Sequence, residues 1–216
     1  MPDVEVPERR TGTLEALSPI EAAYVAAVSR KTVDQAIDRG EVRPARSRRA
    51  SDSPRALEFG AVIYLRLREE AGPLLSSEGK RLLYKYVYHL TPRNVPETID
   101  LGSVSVRTGP AVEQVTKSLD QLQATRHYVV TDPAIRGGEP VVRDTRIPVY
   151  LIADMVAQGE DRENILAAYP ALSTEALEAV VLYARLHPRR GRPRTAPWRD
   201  RAPVRVITPD GLGERK

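Results

Sequence analysis

The clearest pattern in the chain is "SPIEAAYVAAVSRKTVDQAIDRG", Ser18 to Gly40, where apolar and polar positions repeat with a helical period. Ser18 is placed to cap a helix whose first position is Pro19 and whose Ala-rich run extends to Val28. Ser29 then caps a second helix. Over Arg30 to Asp38 the apolar residues Val33, Ala36 and Ile37 fall at i, i+3 and i+4, which predicts one buried face and leaves Arg30, Lys31, Asp34, Gln35 and Asp38 outside. Gly40 ends it. Two short helices joined by a tight turn, the second polar on its outer face, meet the requirement of a helix-turn-helix. The next stretch, "EVRPARSRRASDSPRALEF", sets Arg43, Arg46, Arg48, Arg49 and Arg55 against Glu41 and Asp52, and its Pro and Ser residues predict a hairpin or loop, a basic wing. Helical spacing returns in "LEFGAVIYLRLREEAG", with Leu57, Val62, Leu65 and Leu67 on the buried face.

Further along, "SSEGKRLLYKYVYHL" puts Tyr84 and Tyr88 one helical turn apart, which suits core packing or a stacking surface for bases. "GSVSVRTGPAVEQVTKSLDQLQ" predicts a short strand, a turn and a helix from Pro110 with a stripe of Val112, Val115, Leu119 and Leu122. Either the rest of the fold or a second copy of the chain must cover that stripe. From His127 the pattern changes to a strand over Tyr128 to Thr131, a Gly137-Gly138 turn with positive φ and a second strand at Val141-Val142. Three helices follow. The first runs from Val149 to Gln158 and stops at Gly159, the second begins at Asp161 and stops before Pro170, and the third is capped by Ser173 or Thr174 with Leu177, Val180, Val181 and Ala184 inward. The predicted fold class is mainly α with small β-hairpins. The expected organisation is a winged helix-turn-helix over residues 1–75, a connecting or dimerisation region over 76–126, a helix-turn-helix-like bundle over 127–187 and a basic extended tail over 188–216.

Composition narrows the functional classes. The chain has 216 residues, a net charge of +4 and a pI of about 9.4, which favours a polyanionic partner over a neutral small ligand. The absence of cysteine removes disulfides, thiolate nucleophiles and Cys-based zinc sites. No apolar h-region opens the chain and no window approaches a membrane span, so a cytoplasmic protein without membrane contact is expected. His89, His127 and His187 are too dispersed for a ligand set, and neither H-E-x-x-H nor G-x-S-x-G occurs. "GPLLSSEGKR" superficially resembles a P-loop, but six residues rather than four separate Gly72 from Gly79 and Arg81 stands where Ser or Thr is required. No enzyme activity, cofactor or metal is expected. Gly137-Gly138 reads as a turn rather than an anion nest, and Arg146 as a partner for Asp144 or a neighbouring acid.

Two resemblances add to this reading. The "EAA...VS.KTV...I..GE" pattern followed by a basic wing resembles the winged helix-turn-helix of the MerR and excisionase group, with Ala27 where that group often has Gly. "DPAIRGGEPVVRDTRIPVYLIADMVAQGEDRENILAAYPALSTEALEAVVLYA" resembles the domain of unknown function 433, through Gly137, Gly138, Pro140, Thr145, Arg146, Ile147, Gly159, Tyr169 and Pro170, with Asp144 in place of the common Gly. That family is similar to VapB-type antitoxins encoded beside a PIN-like ribonuclease toxin. The resemblance therefore implies an antitoxin that neutralises such a toxin and represses its own promoter; the alternative is a stand-alone DNA-binding regulator.

The candidate DNA-binding residues are Ser29, Arg30, Lys31, Thr32, Gln35, Arg43, Arg46, Arg48 and Arg49, and a homodimer would place two recognition helices on successive major grooves. The tail after His187 is rich in arginine and proline and carries the only tryptophan, so it cannot bury a core of its own. Its candidate toxin-binding residues are Arg189, Arg190, Arg192, Arg194, Trp198, Arg199 and Arg201, suited to the acidic metal site of a PIN-like ribonuclease. An alternative occupant of the arginines is the DNA minor groove, through "RGRP", and a solvated tail remains open as well.

Overall fold

The computed structural model describes residues 16–45, 54–102 and 104–189, and the fold they form is mainly helical with small antiparallel strand pairs. Helix α1 (Pro19–Val25) starts with a full capping box: the Ser18 hydroxyl receives the Glu21 N–H, while the Glu21 carboxylate accepts from the Ser18 N–H at 2.8 Å. The helix stops at Val25 rather than running to Val28, because Ala27 takes a left-handed conformation with φ of 53°. Its closing bonds, Ala27 N–H to Tyr24 O and Val28 N–H to Ala23 O, form a Schellman turn. Helix α2 (Arg30–Asp38) has the predicted bounds, with Val33 and Ala36 fully buried and Gly40 at φ of 68° beyond its end.

Helix α3 (Phe59–Ala71) departs from the expected single apolar stripe. Residues Phe59 to Leu65 are all buried, so α3 is an internal helix with neighbours on nearly every side. Leu57 lies ahead of it, in an antiparallel bridge with Leu17. Burial of a side chain such as Ile63 or Leu65 contributes about 1.5–3 kcal/mol, and both are essentially inaccessible. Helix α4 (Ser77–Val87), capped by Ser76, packs against α3. A short hairpin follows, β1 (Thr98–Asp100) with β2 (Ser105–Arg107), pairing Ile99 with Val106 on its buried face.

Helix α5 (Gly109–Tyr128) is the longest, at 20 residues. Its predicted stripe is covered within the chain: Val115, Leu119 and Leu122 are buried and Val112 partly so, against α1, α3 and α8. Because α5 continues through Tyr128, strand β3 shortens from the expected Tyr128–Thr131 to Val129–Val130. It pairs with β4 (Val141–Val142), and Gly137 and Gly138 between them have φ of 68° and 85°, as expected of a turn. Helices α6 (Val149–Ala157), α7 (Arg162–Ala168) and α8 (Thr174–Leu186) complete the described residues, with Asp161 and Ser173 capping the last two. Among the described residues two main hydrophobic cores result, beside a small contact of Ala16 with Ala56. One gathers the elements from Leu17 to Leu122 and also takes Leu186 of α8; the other lies between β3–β4, α6, α7 and the middle of α8.

Candidate nucleic-acid interface

The exposed face of α2 is assembled from short-range bonds. Ser29 accepts the Thr32 N–H at 3.0 Å and its hydroxyl meets that of Thr32 at 2.8 Å, which fixes the first turn and occupies both hydroxyls. Arg30 donates from Nε to Asp34 Oδ2 at 2.9 Å, and Arg55, arriving from beyond the wing, reaches Asp38 Oδ1 at 2.8 Å and Asp34 Oδ1 at 3.7 Å. Both acids of α2 are thus matched by arginines. Lys31 and Gln35 stand exposed on the same face. Arg55, counted in the sequence with the basic stretch after α2 but not among the candidate DNA-binding residues, pairs with the acids of α2.

Arg43 follows α2, its side chain exposed and its N–H donating to the Tyr84 hydroxyl at 2.9 Å. The stretches on either side of residues 46–53 are joined by the Ala45 N–H to Ala56 O bond of 2.7 Å. Arg46, Arg48 and Arg49 lie outside the described residues. Among the expected tail contacts only Arg189 is described; it pairs with Asp154 at 3.1 Å and its guanidinium sits 4.7 Å from the centre of the Tyr150 ring. Arg190, Arg192, Arg194, Trp198, Arg199 and Arg201 lie outside the described residues. Arg146 is exposed and, contrary to expectation, makes no ion pair among the described residues; Asp144 beside it turns outward with φ of 59°.

A cleft of about 640 Å³ opens next to this face, between the end of α2, α3 and α4. Arg39, Arg43, Arg68, Lys80, Arg81 and Lys85 line it, against the single carboxylate of Glu41. Glu41 Oε2 sits 3.1 Å from Arg68 Nε as an ion pair without hydrogen-bond alignment, and Arg68 Nη1 is buried with no hydrogen-bond partner. Aromatic rings form one side, with Tyr64, Tyr84 and Tyr88 successively edge-to-face at 5.1 and 5.5 Å. Burial, then the Glu41 carboxylate, pushes the Tyr64 hydroxyl up to about 12, and burial also raises that of Tyr84 against the opposing Arg43 N–H. The walls of this cleft come from three separate stretches, and the sequence signals it only through the Tyr84/Tyr88 spacing and the imperfect P-loop likeness of the stretch that holds Ser77, Lys80 and Arg81. No group of His, Asp and Glu among the described residues is arranged to hold a metal, and no described helix is long and apolar enough to cross a membrane.

Comparison with known proteins places the C-terminal half. The profile of the family described as "Protein of unknown function (DUF433)" matches residues 129–184. Across most of its length the chain is similar to "Uncharacterized protein y4eO" of Sinorhizobium fredii (strain NBRC 101917 / NGR234), 32% identical over 190 residues that cover 83% of this chain and 85% of that protein. The chain belongs to the DUF433 family. The matched DUF433 segment begins at β3 and ends within α8, so the α2 face, the wing and the cleft all lie outside it. A crystal structure of a DUF433 member protein from Anabaena variabilis is 25% identical, covering 53% of this chain and 91% of that one, with a TM-score of 0.28.

Proposed function

We propose that this protein is a DNA-binding regulator whose N-terminal part works as a winged helix-turn-helix of the MerR and excisionase kind, with α2 as the recognition helix. The observation that carries the reading is the construction of α2: one face is fully buried through Val33 and Ala36, while the other presents Lys31 and Gln35 with both acids already neutralised by Arg30 and Arg55. Such a face can enter a major groove without carboxylates repelling the phosphates. Lys31 and Gln35 read base edges, while Arg43 and the wing arginines hold the backbone.

The test is binding of the full chain to a fragment of its own promoter. Affinity falls steeply with salt, Lys31→Ala and Gln35→Ala change sequence preference, and Arg43→Ala weakens all duplexes alike. Absence of salt-dependent binding at low ionic strength would overturn the reading.

A second activity, neutralisation of a PIN-like ribonuclease as in VapB-type antitoxins, is favoured by the anchoring of Arg189 on Asp154 and Tyr150, which fixes where the arginine-rich sequence from residue 190 departs. The arginines suit a carboxylate-lined metal site, and Trp198 supplies an apolar anchor. Ribonuclease activity of the partner, encoded beside the gene, is measured with full-length chain and with chain truncated after Arg189. Inhibition by the full-length chain alone supports the assignment; equal inhibition by both removes the tail from it.

A further inference from the structure

We propose that the cleft between α2, α3 and α4 is a binding site for a nucleoside di- or triphosphate. The charge arithmetic requires a multiply charged anion. Glu41 is shared between Arg68 at 3.1 Å and Arg39 at 3.9 Å, while Arg43, Lys80, Arg81 and Lys85 have no carboxylate partner among the described residues. A single phosphate monoester carries about −2 and leaves part of that charge unmatched, whereas a di- or triphosphate balances it. Within the cleft the Glu41–Arg68 pair leaves Lys80, Arg81 and Lys85 on the α4 side free to meet phosphate oxygens.

The uncharged part of the cleft calls for a flat aromatic group. Tyr84 and Tyr88 line it at a ring separation of 5.5 Å, and His89 continues the row at 4.8 Å from Tyr88. Because these rings meet edge to face, a purine or pyrimidine stacks on one of them, Tyr88, whatever its hydrogen-bonding edge. The volume, about 640 Å³, lies inside the range of small-molecule sites, roughly 300–1,000 Å³. A duplex presents its phosphates on a convex ridge, whereas a free nucleotide can enter a cleft of this volume.

The site does not depend on α2 binding DNA, and the experiment keeps the two apart. The full chain is titrated calorimetrically with ATP, GTP, inorganic triphosphate and adenosine in the absence of DNA, and separately with its promoter duplex. ATP or GTP is expected to bind one per chain, at least tenfold more tightly than inorganic triphosphate, with adenosine giving no measurable heat. The Lys80→Ala/Arg81→Ala pair weakens nucleotide binding at least tenfold. Tyr88→Leu abolishes the advantage of ATP over triphosphate and leaves triphosphate itself unchanged. Circular dichroism confirms the fold of each variant, and Arg81→Glu, a change on an exposed turn of α4, replaces the pair if it does not fold. Equal affinity for ATP and triphosphate, or nucleotide binding indifferent to the Lys80 and Arg81 changes, overturns the proposal. So does a parent chain that binds the duplex but no nucleotide and loses the duplex in the double variant, since the cleft is then a contact for DNA phosphates.

Discussion

Replacing Gly60 by Ala tests whether α3 and α4 are packed as closely as the structure has them. On helix propensity alone the change raises stability, by up to about 1 kcal/mol. The geometry reverses the sign. A Cβ on Gly60 meets backbone rather than side chains, with Tyr88 O at 2.6 Å and Tyr88 C at 2.9 Å, and the Val87 carbonyl closer still. Carbon and oxygen settle at about 3.3 Å or more, so the end of α4 has to retreat by about 1 Å to clear the Val87 carbonyl, and no rotamer change can relieve the contact. Overpacking of this kind costs about 1–3 kcal/mol; at the upper end, less the propensity gain, the net loss is about 2 kcal/mol. For a chain of this size that is a fall in Tm of about 4–8 °C, read by scanning calorimetry on the full chain. Gly79 supplies the comparison. Its Cβ would find only ordinary contacts, Leu75 Cδ2 at 3.4 Å and Ser76 Oγ at 3.5 Å, so Gly79→Ala raises Tm. A higher Tm for Gly60→Ala would refute the packing argument.

Ala27→Gly is expected to stabilise by about 0.5–1 kcal/mol, the relief of a left-handed alanine less the added freedom of the unfolded chain, and denaturant titration measures it as an increase in midpoint at constant slope. Ser29→Ala removes the cap of α2 and costs about 1 kcal/mol by the same titration, with Ser29→Asp recovering it. His187 is held below its ordinary 6.5, by burial first and then by Arg126, against the opposing pull of Glu21. A depressed histidine leaves the unfolded chain with more bound protons, so stability falls as pH drops through about 6.5 and continues to fall towards the lower folded value. His187→Gln flattens that part of the stability profile. Truncation after Arg189 leaves Tm unchanged within about 1 °C, the described contacts all lying before the cut.

The turns and caps were the most legible part of the sequence. Ser18, Ser29, Asp161 and Ser173 cap the helices they announce, because a cap is a local bond between residues three apart or fewer. Ala27 and Asp144 both take positive φ, a conformation that a glycine would adopt without strain. Periodicity failed where burial is complete, since the run Phe59 to Leu65 is enclosed on all sides and shows no stripe. At Gly60 nothing local in the sequence reveals the two carbonyls against it. The cleft was hidden for the same reason, its cations being separated along the chain and its acid, Glu41, set in a stretch that reads as the approach to a wing.

Helix α5 is a party wall. One side closes the first core through Val115, Leu119 and Leu122, and α8, which supplies Leu177 and Val180 to the second core, lies along it and sends Leu186 back into the first. The family match starts at residue 129, one residue after this helix ends. A chain that carried the 129–184 segment alone would leave its part of α8 without the surface it rests on, exposing a face about 17 Å long. The segment therefore needs a replacement beam wherever it stands without α5, from another part of the same product or from a neighbouring molecule.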